Sequence, residues 1–293
     1  MIDFEKAKNA FERYVSNFDK NDSKVDRKIK HTYYVVEASR YLSEKLNLSK
    51  EDTELAELIA LLHDIGRFTQ SELKFKTYDE AEITFNHAEH GIKVLFEDNL
   101  IREFIEDNKY DTIISKAILN HNKLKIEDNL SKKELLHCKL IRDNDKTGNF
   151  TFKCKKDFQI DDISIDKKSV ISDEVFEEFM NQKTISIKNR KTVLDKWISL
   201  IAFVFDYNFK EALEYIYTKN YIDIIFNKIS YNENKEMIKR IESMKNITHI
   251  YIEERLERAR YCVENYVLDY QVKLLDNKQL VAISDSYEGS RSS

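Results

Sequence analysis

The residues in this chain best able to do chemistry are its histidines, and they are not spread evenly. Seven are present, and six fall between His31 and His137. One stands in LIALLHDIGRF, Leu58 to Phe68, where His63, Asp64 and Arg67 gather just as an apolar run ends. Burying an imidazole and a carboxylate there costs free energy unless something satisfies both. Neutral imidazoles and carboxylates are what a divalent transition metal takes as ligands, so the clustering points to metal chemistry.

Helical periodicity tests that reading by placing each histidine on a face. His31 continues the stripe Tyr34, Val35, Ala38 and Leu42; His63 continues Ala56, Ile59 and Ala60; His121 continues Ile114, Ala117 and Ile118. Spacing of three and four turns these imidazoles inward from three helices. His87 has Ile83 behind it and Gly91 a turn ahead, where a missing side chain permits close helix approach. Four inward histidines beside Asp64 are hard to satisfy with backbone carbonyls alone. The segment IRDNDKTGN adds acids: Asp145 extends the stripe Leu135, Cys138 and Ile141, while Asp143 extends Leu136 and Leu140.

Taken in order, these elements resemble the HD-domain superfamily of metal-dependent phosphohydrolases. They are His31, the pair His63-Asp64 with its HDIG extension, NHAEHGIKVL around His87, ILNHNK around His121, and the closing RDNDK turn. The resemblance covers about residues 25 to 150. It implies that His31, His63, Asp64 and Asp145 hold one ion, with Asp143 as the alternative to Asp145; alignment on the Asp-Lys pair favours Asp145. His87 and His121 would complete a second site, with Asp64 bridging. Mn²⁺, Fe²⁺, Ni²⁺, Co²⁺ and Zn²⁺ all suit such ligands. Coordination brings the pKa of water to about 7 in favourable sites, so a hydroxide held by the ions would attack phosphorus. Asp64, Arg67 and Lys146 are then the catalytic candidates. Arg67, His90, Lys93, Lys123 and Lys146 are the candidates for holding substrate, Arg67 through a planar bidentate fork. Lys146-Thr147-Gly148 stands where relatives carry Lys-Leu-Asp, so a reshaped loop is expected beyond the ligand.

Such a site needs long helices, and the composition favours them. There is no proline and only four glycines, which removes most hairpin turn chemistry. Helices are expected over residues 3–18 and 24–46. A third is capped by Ser49 with Asp52 as its capping-box partner and stops at Gly66 in the C′ position. Asp79 would cap the helix carrying His87, Asp111 the helix carrying His121, and Ser131 with Glu134 forms a capping box before LLHCKLIRDNDK. After Gly148, FTFKC and TISIK alternate and leave room for a small hairpin. Helical pattern returns from Lys191 to about Leu268, where WISLIAFVFDYNF has the spacing of a buried helix. The fold expected is all-α: an HD-type helical bundle over residues 1–150, with a mostly helical extension over 151–293 packed on it. The terminal EGSRSS reads as a disordered tail.

Composition also excludes classes. Net charge is -5 with 34% charged residues, a mixed surface without the basic excess that duplex nucleic acid requires. Cys138, Cys154 and Cys262 form no CxxC pair and read as buried free thiols rather than a disulfide framework. No apolar run approaches the roughly 18 residues of a membrane span, and the N-terminus lacks a signal-peptide core, so a cytoplasmic protein is expected. His137 reads as helix surface or support behind the ligands, and His249 as structural. The activity expected is hydrolysis of a nucleotide or other small phosphate ester, by a phosphomonoesterase or phosphodiesterase using two divalent ions. The alternatives are a mixed-valent di-iron oxygenase on the same fold and a regulatory binding module in which metal only staples helices together.

Overall fold

A computed structural model describes residues 2–70, 85–155, 168–229 and 233–257, and among these the regular structure is helical, with no strand. The chain divides into two compact units, residues 1–248 and 249–293. In the second unit the described residues, 249–257, are helical to Arg255.

The first unit opens with α1 (Phe4–Val15), capped by the Asp3 carboxylate, and α2 (Ser23–Lys45), capped by Asp22. α3 (Lys50–Leu62) starts at Ser49, whose hydroxyl accepts from the Asp52 amide. After a turn at residues 63–65 comes the short α4 (Gly66–Gln70). α5 (His87–Ile92), capped by Asn86, runs into a π-helical turn at Lys93–Glu97 and is followed by α6 (Ile101–Phe104). α7 (Asp111–His121) and α8 (Lys132–Cys154) complete the bundle, α8 behind the full Ser131/Glu134 capping box expected of it. α2 packs against both α3 and α8, and α7 against α8. Their shared core includes Phe11, Val35, Leu58, Ile65, Phe104, Ile118 and Cys138, all essentially sealed from solvent. Each large apolar side chain buried this way contributes about 1.5–3 kcal/mol.

A chain so poor in glycine still has to turn. The left-handed positions of the described residues fall on Asn47, Asn99, Asn129, Gln182, Asn220 and Glu257, and no described glycine has positive φ. Asparagine tolerates that region because its short side chain bonds locally. Gly66 therefore departs from the expected C′ role: it opens α4. A Cβ at this position would collide with the His87 carbonyl oxygen and lie 2.6 Å from the Gly91 nitrogen. Its function is close approach of α4 to α5.

α8 departs from expectation too. It continues through residue 150 to Cys154, so FTFKC is helical, and the 150/151 boundary falls inside a helix. The helix passes α2 so closely that a Cβ on Gly148 would sit 3.2 Å from the Val35 nitrogen. TISIK forms no strand and ends in a 3-10 turn at Ile187–Asn189. The caps and helix ends expected at Asp79 and Leu268, with Ile83 and Cys262, lie outside the described residues.

Beyond α8 come α9 (Asp173–Met180), α10 (Val193–Ile201) with its 3-10 continuation Ala202–Asp206, α11 (Lys210–Thr218), α12 (Tyr221–Ile229) and α13 (Lys235–Arg255). The WISLIAFVF segment is core, with Trp197, Ile198, Ile201 and Val204 buried, and α11 and α12 pack on α8.

Candidate metal centre

Five elements deliver the six candidate ligands. α2 carries His31, the turn after α3 carries His63 and Asp64, α5 begins with His87, α7 ends with His121, and α8 carries Asp145. The missing Cβ of Gly66 is what allows the Asp64 turn to lie against the start of α5.

The six fall into two groups of three. His31, His63 and Asp145 form one and Asp64, His87 and His121 the other, the ligand atoms of each lying within 4.8 Å of one another. In the first, His31 Nε2 is 2.9 Å and His63 Nε2 3.7 Å from Asp145 Oδ1. In the second, His87 Nε2 and His121 Nε2 stand 3.4 and 3.7 Å from Asp64 Oδ1 and 3.0 Å from each other. Ligands about 2.1 Å from one ion stand about 3.0–3.4 Å apart at octahedral or tetrahedral angles. The observed separations, 2.9–3.7 Å, lie close to that scale in both groups.

Hydrogen bonds on the far side of the rings fix their tautomers. A carbonyl oxygen can only accept, so His63 Nδ1 donates to Ala60 O at 2.8 Å and His121 Nδ1 donates to Ile118 O at 2.6 Å. Both Nε2 atoms therefore present lone pairs inward, the arrangement that second-shell partners give to ligating imidazoles. His63 Nε2 is sealed from solvent and has no hydrogen-bond partner. An orphaned buried acceptor aimed between two carboxylates is a vacancy in polar satisfaction that a cation would close.

Electrostatics set the same charge states. Burial opposes ionisation of Asp64, yet Lys28, Arg67 and His63 outweigh it and hold the carboxyl well below the usual range. Burial likewise opposes ionisation of Asp145, and the His31 bond together with the nearby His63 ring overcomes it. Burial lowers His31 and, with Arg67 nearby, brings His87 down to about 2. His63 is raised, since Asp64 and Asp145 outweigh its burial. At neutral pH the carboxylates are ionised while His31 and His87 are neutral.

The family model of the HD domain matches residues 29–147. The span holds all six candidate ligands, from His31 on α2 to Asp145 on α8. HD domains form a superfamily of metal-dependent phosphohydrolases and bind divalent ions, and the two groups here are suited to that role. No curated protein and no solved structure gives a significant match to the chain.

Other candidates in the matched span fall on both sides of the expectation. Arg67 is brought in: its Nε donates to Asp64 Oδ1 at 3.3 Å. Asp143 is turned away, its carboxylate accepting from the backbone amides of Asn208 and Phe209 and from Asn208 Nδ2 at 2.8–3.0 Å. Lys146, expected at a substrate phosphate, is buried and paired with Asp206 at 2.7 Å. It belongs to a clamp in which Arg142 also reaches Asp206, at 2.7 Å, and Thr147 bonds Tyr207. The helix runs straight on through Thr147 and Gly148, so the loop expected beyond the ligand is absent.

Lys93 is exposed on the π-helical turn, and Lys123 is exposed and paired with Glu127 at 3.0 Å. His90 is half-buried with its ring 5.0 Å from Phe85. His137 is fully buried rather than on the surface, bonded to Asp52 at 3.3 Å. His249 is half-buried in the second unit. Two polar residues at the site went unread in the sequence. Lys28 Nζ donates to Asp64 Oδ2 at 3.1 Å, and Asn149 Nδ2 donates to Asp145 Oδ1 at 3.0 Å. The signal was present: Lys28 precedes His31 by three residues and Asn149 follows Asp145 by four, so each shares its ligand's helical face.

Proposed function

We propose that the protein hydrolyses a phosphate ester, most simply that of a nucleotide, with two divalent transition ions held by His31, His63 and Asp145 on one side and His87 and His121 on the other. The observation that carries this reading is the placement of Asp64. Its Oδ1 faces His87 and His121, while its Oδ2 lies 3.8 Å from His63 Nε2. One carboxylate thus looks into both groups, as a bridging ligand must.

Divalent ions in such a site supply Lewis acidity toward phosphoryl oxygens and a nucleophilic water near neutral pH. The chain's own groups do the rest. Ala60 and Ile118 carbonyls hold His63 and His121 in the tautomer that faces inward. Asn149 fixes the rotamer of Asp145, and Arg67 that of Asp64. The near-complete burial of all but Asp145 keeps bulk water from screening charge that develops on a phosphoryl group. Arg67 is the nearest guanidinium to the bridge and the natural partner for a non-bridging oxygen.

Protein loaded with Mn²⁺, Co²⁺ or Ni²⁺ is expected to release phosphate from an aryl phosphate or a nucleotide, and Asp64→Ala is expected to abolish the release. Inactivity with every metal across monoester, diester and triphosphate substrates would overturn the proposal.

A further inference from the structure

Lys28 stands on Asp64 Oδ2, the oxygen that faces His63 and the first ligand group, at 3.1 Å. Oδ1 is already engaged by Arg67 and by the second group. The ammonium therefore occupies the side of the bridging carboxylate toward which a cation among His31, His63 and Asp145 would have to approach. Its charge is also felt by His31 and His87, so it overlooks both groups.

The two cations on Asp64 differ in freedom. Arg67 is three residues along the same turn and its side chain is 9% exposed, whereas Lys28 arrives from α2 on a four-carbon stem and is 28% exposed. A lysine is a mobile point charge with three donors, and its stem can swing without disturbing α2. Two divalent ions beside Asp64 would repel an ammonium at hydrogen-bonding distance. A phosphate oxygen entering over the same carboxylate would attract it.

Resting on the metal-centre reading above, we infer that Lys28 is a two-position residue: the counter-ion of Asp64 when the first group is empty, and a ligand of the substrate's phosphate once metal has displaced it. Lys28 thereby opposes metal binding and favours anion binding. These opposite signs separate the role from a structural one, which would weaken both or neither.

The test is calorimetry on wild type, Lys28→Met and Lys28→Arg, first titrating metal-free protein with Mn²⁺, then titrating Mn²⁺-loaded protein with inorganic phosphate. Lys28→Met is expected to bind Mn²⁺ roughly tenfold more tightly, because a repelling charge is gone and Asp64 is released. The same variant is expected to bind phosphate roughly tenfold more weakly, having lost a charge-assisted bond. Lys28→Arg is expected to recover most of the phosphate affinity. Unchanged or weaker Mn²⁺ binding in Lys28→Met, or unchanged phosphate binding, overturns the assignment while leaving the metal centre standing. Failure of wild type to take up any Mn²⁺, Co²⁺ or Ni²⁺ overturns the metal centre itself, and this inference with it.

Discussion

Gly66 touches the backbone of His87: a side chain on Gly66 would collide with the His87 carbonyl oxygen and with the amide of Gly91 behind it. That contact sets the distance between Asp64, two residues before Gly66, and the His87 ring, whose Nε2 is 3.4 Å from Asp64 Oδ1. Gly66→Ala is expected to cost about 1–3 kcal/mol, because backbone cannot yield as a flexible side chain would. It should also part the second ligand group while sparing His31, His63 and Asp145. Metal analysis would then show a loss of one bound ion, and chemical denaturation the loss of stability.

Metal should stabilise the protein in proportion to its affinity. At a free concentration one hundred times its Kd, a bound ion adds about 2.7 kcal/mol. Wild type is expected to gain several degrees in Tm with Mn²⁺, Asp64→Ala to gain almost nothing, and His87→Ala to keep a part. Equal gains in all three would show that the ions bind elsewhere.

Asp143 and Asp145 are two residues apart with opposite duties. Asp143→Ala strips acceptors from two backbone amides and from Asn208 Nδ2 and removes the carboxylate 3.8 Å from the buried Lys146 Nζ, so a loss of about 3 kcal/mol is expected. Asp145→Asn should cost far less stability yet abolish metal uptake by the first group. A denaturation curve and a metal titration on each variant separate clamp from ligand.

His87 makes metal-free protein sensitive to mild acid. Its folded pKa is about 2, against 6.5 when exposed, so below 6.5 the unfolded chain takes up a proton that the folded chain refuses. Stability therefore falls as pH drops, by about 2 kcal/mol between pH 7 and pH 5 from this group alone. His63, with a raised pKa, acts in the opposite sense. The informative quantity is the difference in slope between wild type and His87→Gln in the presence of chelator, and equal slopes would contradict the assignment.

Much of this site can be read from periodicity because its ligands lie on helices with clear apolar stripes. His31, His63 and His121 each continue such a stripe, and each side chain is buried. Periodicity failed where tertiary contact decides. Asp143 and Asp145 both continue apolar stripes of α8, and only the arrival of residues 206–209 on one face shows which is spent as a clamp. Lys146 was misread for the same reason: its partner, Asp206, is remote in sequence. Gly66 carries the composition signal of a helix end, but the reason it must be glycine is the backbone of His87. FTFKC alternates like a strand, yet it sits where Gly148 lets α8 press against Val35, and packing overrides local preference.

The opposed duties on α8 limit what its sequence can tolerate. Each residue added or removed turns a helix by about 100°. A one-residue insertion or deletion between Asp143 and Asp145 would rotate the metal-facing carboxylate out of line with the clamp, so that one of the two functions is lost whichever end of the helix holds its place. Length variation among natural variants should be absent from this turn.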